Sequence, residues 1–190
     1  MPIKAVDLRR YYTVGGTTVK ALDGVSLDIA DGEYVTICGA SGSGKSTLMN
    51  ILGCLDSPTS GSYILDGEEV PKMDDSQLSR IRGSRIGFVF QSFNLIPTLT
   101  ARENVELPLM YRGVPRKQRR EAALEALEQV GLAERADHRP SEMSGGQQQR
   151  TAIARAIAAH PSLILADEPC GNLDSRSGRI ICEILEALHL

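Results

Sequence analysis

Residues 39–46 read Gly-Ala-Ser-Gly-Ser-Gly-Lys-Ser and fit the pattern G-x-x-x-x-G-K-[ST]. An apolar run, Tyr34–Cys38, precedes them, and a helical pattern, Lys45 to Leu55, follows. A strand, a glycine turn and a helix in that order make an anion cradle. Glycines let backbone N–H groups turn inward, and the helix N-terminus adds partial positive charge. Gly39, Ala40, Ser41, Gly42, Ser43 and Gly44 form the cradle, and Lys45 is placed to reach the outer phosphates of a nucleotide. The Ser46 hydroxyl is a hard oxygen suited to Mg²⁺, and Thr47 is a further phosphate contact.

Around this loop, strands are expected at Ile3–Leu8, Val25–Ile29, Tyr34–Cys38, Ser62–Leu65, Arg85–Phe90 and Leu163–Asp167. Tyr34–Cys38 and the last two are nearly continuous apolar runs, the mark of strands buried on both faces. The earlier ones are punctuated by Asp31-Gly32 and Asp66-Gly67 and read as antiparallel. Further helices are expected over Arg116–Val130, Gln147–Ala159 and Arg176–Leu190. The last carries Ile180, Ile181, Ile184, Leu185 and Leu188 on one face. Buried strands alternating with helices predict a parallel α/β core.

Composition narrows the possible partners. The net charge of −3 lacks the basic excess of a nucleic-acid binder. Arg116, Lys117, Arg119 and Arg120 read as a solvated helix face. No apolar run reaches the roughly 18–20 residues of a membrane span, and Met1–Arg10 has no signal-peptide core. The expectation is a cytoplasmic chain that meets a membrane only through a partner. Cys38, Cys54, Cys170 and Cys182 form no metal-binding spacing.

A second chemical signal lies at Leu163-Ile164-Leu165-Ala166-Asp167-Glu168, an apolar strand ending in two carboxylates. At the C-terminal edge of a parallel sheet, both would face the ligand crevice. Neighbouring strand residues point to opposite faces, so their tasks differ. Asp167 is expected to hold Mg²⁺, and Glu168 to orient and deprotonate an attacking water.

Ser144-Gly145-Gly146-Gln147, followed by Gln148-Gln149-Arg150, resembles the signature sequence of the ABC-type ATPases, with Met143 in place of the usual leucine. It falls between the phosphate loop and the acidic pair, in that family's order. The resemblance covers essentially the whole chain. It implies a P-loop NTPase fold with a RecA-like parallel core, an N-terminal antiparallel β subdomain and an inserted α-helical lobe. Residues 1–190 would form a single ATPase domain, with 1–91 and 160–190 as the nucleotide-binding core and 92–159 as the lobe.

The resemblance also implies roles. Ser144, Gly145, Gly146 and Gln147 would bind the γ-phosphate of ATP held by a second copy of the domain. Gln91 would be the glutamine that contacts Mg²⁺ and the attacking water. Asp174 would belong to an interface loop, Gly171-Asn172-Leu173-Asp174. Tyr12 would stack on adenine, with Tyr11 as the alternative. The implied activity is ATP hydrolysis that powers a transmembrane permease.

Further strings, including Asn50–Asp56, Phe88–Pro97 and Glu103–Leu109, resemble the branch that contains lipoprotein-releasing, macrolide-export and antimicrobial-peptide exporter ATPases. Members that act on DNA or ribosomes carry long coiled coils or paired cassettes, and a regulatory scaffold would not need Glu168.

Two departures stand out. Position 170, usually threonine, is cysteine, which is expected to leave hydrolysis intact while making the site sensitive to thiol reagents. A switch histidine is also missing. His138, His160 and His189 do not fit it, and the family places it, with its strand, about 30 residues beyond Glu168. The expectation is therefore that these 190 residues are a C-terminally incomplete portion of a longer protein.

Overall fold

The computed structural model describes residues 1–189. They form two compact units, Met1–Arg82 and Gly83–Leu190.

The first unit begins with two long strands, β1 (Ile3–Val14) and β2 (Thr17–Ile29), paired antiparallel. Both run well beyond the expected Ile3–Leu8 and Val25–Ile29. Gly15 and Gly16 join them with φ of 55° and 82°. A two-residue hairpin of this type needs positive φ at both positions, and paired glycines supply it without steric cost. After the phosphate loop come α1 (Lys45–Leu52), β3 (Ser60–Leu65) and the short β4 (Glu68–Glu69). The sheet order is β2-β1-β3-β4, antiparallel throughout. Ile3, Ala5, Leu8, Leu22, Ile51, Leu52, Tyr63 and Leu65 are buried, and the Tyr63 hydroxyl donates to the Leu52 carbonyl at 2.6 Å.

Tyr34–Cys38 does not become the expected buried strand. These residues join neither sheet, and Tyr34, Val35 and Ile37 are 50%, 44% and 47% exposed. Apolar, β-branched composition favours extended backbone, but a strand exists only where a second strand completes the ladder.

α2 (Asp75–Ser84) closes this part of the chain. Asp74 accepts from the Gln77 N–H at 2.8 Å, and the Gln77 side chain accepts from the Asp74 N–H at 2.9 Å. This reciprocal cap starts the helix, yet the segment is too polar to show a strong helical periodicity.

In the second unit, β5 (Ile86–Val89) pairs parallel with β6 (Leu163–Ala166), as expected of a parallel core. Four helices accompany them: α3 (Ala101–Tyr111), α4 (Arg116–Gln129), α5 (Gly145–Ile157) and α6 (Ser175–His189). Leu190, included in the expected last helix, lies outside the described residues. α3 was not among the expected helices. Thr100 and Glu103 cap its start reciprocally, while Pro108 interrupts its pattern near the end.

The core gathers Val89, Val105, Leu127, Leu132, Ile153 and Ile181, all 0–2% exposed. Asn104, fully buried, holds the approach to α3. It accepts from the Ile96 N–H at 2.7 Å and donates to the carbonyls of Ile96, Leu99 and Thr100. This satisfies a side chain that burial would otherwise penalise.

Helix α5 lies close against β5. A Cβ added at Gly87 would sit 2.6 Å from the Ala156 carbonyl oxygen and 3.1 Å from Pro161 Cγ. Backbone cannot yield as a flexible side chain does, so Gly87→Ala should destabilise the protein by about 1–3 kcal/mol. Urea unfolding of the full-length protein tests this; an unchanged midpoint would mean that α5 can shift freely away from the sheet.

Candidate functional site

In the first unit, Gly44 is the N-cap of α1 with φ 95°, and no side chain caps the helix. Its first turn contains no acidic residue. The N-termini of α3 and α5, by contrast, are closed by capping boxes. An uncapped, acid-free helix start is suited to an anion. A Cβ at Gly44 would collide with the Ala21 carbonyl, and one at Gly39 would lie 2.7 Å from Ser43 Oγ. Gly42 also has positive φ, at 78°. Ser43 N–H donates to the Ala40 carbonyl at 3.2 Å, which rounds the loop.

Lys45 Nζ folds back over this loop and donates to the carbonyls of Gly39 at 3.0 Å and Ala40 at 3.1 Å. Gly39, Ala40, Ser41, Gly42, Ser43 and Ser46 are exposed, while Thr47 is half-buried. The residues fit a polyphosphate: a positive side chain, an open helix start and a backbone with no room for a Cβ at Gly44.

Tyr12 belongs to the same unit. Its hydroxyl donates to Asp56 at 2.7 Å. Arg10 pairs with the same carboxylate at 2.7 Å and places its guanidinium 4.6 Å from the Tyr12 ring centroid. Tyr11 is engaged differently, with its hydroxyl donating to Asp23 and Lys20 over its ring.

In the second unit, Asp167 and Glu168 follow β6 directly. The Asp167 N–H donates to the Val89 carbonyl at 2.9 Å, extending the parallel pairing by one bond. Glu168 then takes φ 44°, a left-handed conformation that costs a non-glycine residue energy. Gly171 N–H closes the turn onto the Glu168 carbonyl at 2.9 Å.

Gln91 lies two residues past the end of β5. Its amide donates to Asn172 Oδ1 at 3.3 Å, and Asn172 Nδ2 returns a bond to the Gln91 carbonyl at 3.1 Å. A Cβ at Gly171 would fall 2.6 Å from Gln91 Nε2. Tertiary structure thus brings together Gln91, the turn after Glu168 and the loop 171–174, although 81 residues separate Gln91 from Asn172.

Ser144 is the N-cap of α5. Its hydroxyl accepts from the Gln147 N–H at 3.3 Å, and the Gln147 side chain accepts from the Ser144 N–H at 2.9 Å. The two polar side chains of the signature string therefore cap their own helix. Its two glycines serve packing: Cβ atoms at Gly145 and Gly146 would lie 3.4 Å from Leu173 and 2.9 Å from Ser177 Oγ. Asp174 accepts from Ser177 Oγ at 2.7 Å and from the N–H groups of Ser177 and Arg176 at 3.0 Å. Those bonds, the Ser177 hydroxyl first, hold its carboxyl below the usual range.

Arg155 is engaged here without any mark in the sequence, while Asn172 and Gln149 stand there only as members of longer strings, with no role of their own. Arg155 donates to the carbonyls of Phe93 and Asn94, two consecutive residues with positive φ just after Gln91. Its place on α5 gave no local signal, because its partners lie 61 and 62 residues away.

A phosphate cradle in one unit, and in the other a parallel strand ending in Asp167-Glu168 beside Gln91, define a P-loop nucleotide-binding ATPase. The family model "ABC transporter" matches residues 22–171, and the chain belongs to that family as an ATP-binding domain. It is 57% identical over 187 residues to an uncharacterized ABC transporter ATP-binding protein of Thermotoga maritima, covering 98% of this chain and 80% of that protein. A macrolide export ATP-binding/permease protein, MacB, of Brucella melitensis is 54% identical over 98% of this chain, which spans 29% of that longer protein. Among solved structures, the ATP-binding cassette MJ0796 in a dimeric post-hydrolysis state bound to ADP and Pi matches with a TM-score of 0.89. It is 48% identical over 98% of this chain and 82% of its own.

Cys170 sits half-buried just beyond Pro169, its thiol donating to the Gly178 carbonyl, with its sulfur 3.6 Å from that of exposed Cys182. Burial first, and then the neighbouring thiol, push Cys170 up to about 11. Only the thiolate reacts, so at neutral pH Cys170 should react more slowly than the exposed thiols of Cys182 and Cys38. Brief maleimide treatment at pH 7 should label Cys182 and Cys38 before Cys170. Labelling of Cys170 should rise with pH towards about 11. Peptide mass mapping decides; equal labelling of Cys170 and Cys182 at pH 7 would contradict this environment.

Proposed function

We propose that this chain is the motor of an exporter, binding and hydrolysing ATP as a dimer to drive a membrane-embedded permease. The observation that carries this reading is the acidic pair. A parallel strand delivers Asp167 and Glu168 to its C-terminal end, and a strained turn fixes Glu168 there. Among the described residues, no helix is long and apolar enough to cross a membrane. In this reading a permease partner would hold the chain at the cytoplasmic face. The MacB relatives carry ATP-binding and permease functions under one name, which supports an export partner, fused or separate.

Each side chain has a proposed task. Lys45 would exchange the Gly39 and Ala40 carbonyls for phosphate oxygens, since an ammonium gains more from a polyanion than from two neutral acceptors. The N–H groups of Gly39–Thr47 would surround the same phosphates. Tyr12 would stack on adenine, its ring held through Asp56. Mg²⁺, when bound, would neutralise charge on the phosphate oxygens. Ser46, Asp167 and Gln91 would each offer it a hard oxygen donor.

Glu168 would accept the proton of the attacking water, which Gln91 helps to orient. Ser144, Gly145, Gly146, Gln147 and Asp174 would face the ATP of the second copy. The caps that Ser144 and Asp174 make would fix the helix ends that present them. The division into a core of 1–91 and 160–190 and a lobe of 92–159 is part of the same reading.

Glu168→Gln should lower turnover by about 10²–10⁴-fold while leaving ATP binding intact. An ATP-bound dimer should then accumulate, visible by size-exclusion chromatography. Turnover within about twofold of the original would remove Glu168 from the role of base.

A further inference from the structure

Gln149 lies in the second turn of α5 with no exposed surface. Its amide Nε2 donates to the Pro169 carbonyl at 2.7 Å. Its Oε1 is buried with no hydrogen-bond partner among the described residues. The amide cannot turn over to relieve this, because Oε1 would then face the Pro169 oxygen. A buried acceptor without a donor costs stability, and an apolar side chain of similar volume would avoid that cost. Packing alone therefore does not account for a glutamine here.

Its bond reaches the segment that most needs holding. Glu168 has φ 44°, and backbone in that region persists only where its surroundings enforce it. Gly171 N–H secures the turn from within, on the Glu168 carbonyl. Pro169 has no N–H to contribute. Gln149 grips the turn from outside, one residue beyond Glu168, and ties it to a buried helix. The start of the same helix packs Gly145 and Gly146 against Leu173 and Ser177, on the far side of that turn.

We propose that Gln149 is a positioning residue for Glu168. It acts through the Pro169 carbonyl and aims the carboxylate, without touching nucleotide or water. The inference rests on the reading of Glu168 as the base.

The test uses the full-length protein. Gln149→Leu removes the donor and the unpaired oxygen together. Its kcat should fall about tenfold, as expected for a misaimed catalytic group, with KM for ATP within about twofold and an unfolding midpoint unchanged or raised. Gln149→Glu keeps the length. When protonated it donates to Pro169, and when ionised it repels that carbonyl. Burial raises its pKa, so its activity relative to the original protein should be high at low pH and fall as pH rises. Gln149→Leu should show no such limb.

In a Glu168→Gln background, Gln149→Leu should change the residual single-turnover rate by less than about twofold. An equal tenfold loss there, or full kcat in Gln149→Leu, would overturn the proposal. Should Gln149→Leu fail to fold, the pH limb of Gln149→Glu decides alone, and a flat ratio overturns it. Unchanged turnover in Glu168→Gln alone would instead refute the base reading, and this inference with it.

Discussion

The close approach of α5 to β5 is the contact on which the second unit depends. Gly87 offers no Cβ, so the Ala156 carbonyl can lie almost on the strand. Ala152, Ile153 and Ala154 are fully buried on the same helix. Small residues let a helix and a strand meet at backbone distance, and dense packing then fixes the helix in position and rotation. Several of the chemical groups in this unit are carried or held by α5. The N-terminus of α5 carries Ser144 to Gln147, its second turn carries Gln149, and Arg155 further along holds the backbone after Gln91.

The first unit solves a different problem with local means. A phosphate cradle needs a backbone that L-side chains resist. Gly44, at φ 95° against the Ala21 carbonyl, is the position where only glycine fits. The helix behind it has no side-chain cap, whereas α2, α3 and α5 are sealed by reciprocal side-chain bonds. A helix start that is to meet an anion must keep its N–H groups available.

Much of this was legible from residue order because its causes are local. The glycine loop, the strand ending in two carboxylates and the amphipathic last helix each sit within a dozen or so residues. Other local signals lie in polar side chains rather than in apolar periodicity. Asp74-x-x-Gln77 and Thr100-x-x-Glu103 are capping boxes that mark the starts of α2 and α3. The same pattern in Ser144-x-x-Gln147 means that the signature string begins by capping its own helix. Gly15-Gly16 likewise announced the hairpin between β1 and β2.

The sequence by itself determined the phosphate loop, the acidic pair, the order of motifs that places the chain in its family, and the helices with clear periodicity. These follow from backbone conformation and side-chain chemistry over short stretches. Tertiary structure decided what depends on partners far along the chain. Tyr34–Cys38 has the composition of a buried strand and yet joins no sheet, because a ladder needs a second strand. Gln91 meets Asn172, Arg155 meets Phe93 and Gln149 meets Pro169 across 81, 62 and 20 residues. Hydrogen bonds of that reach leave no periodicity in the sequence; only the packed fold brings donor and acceptor together.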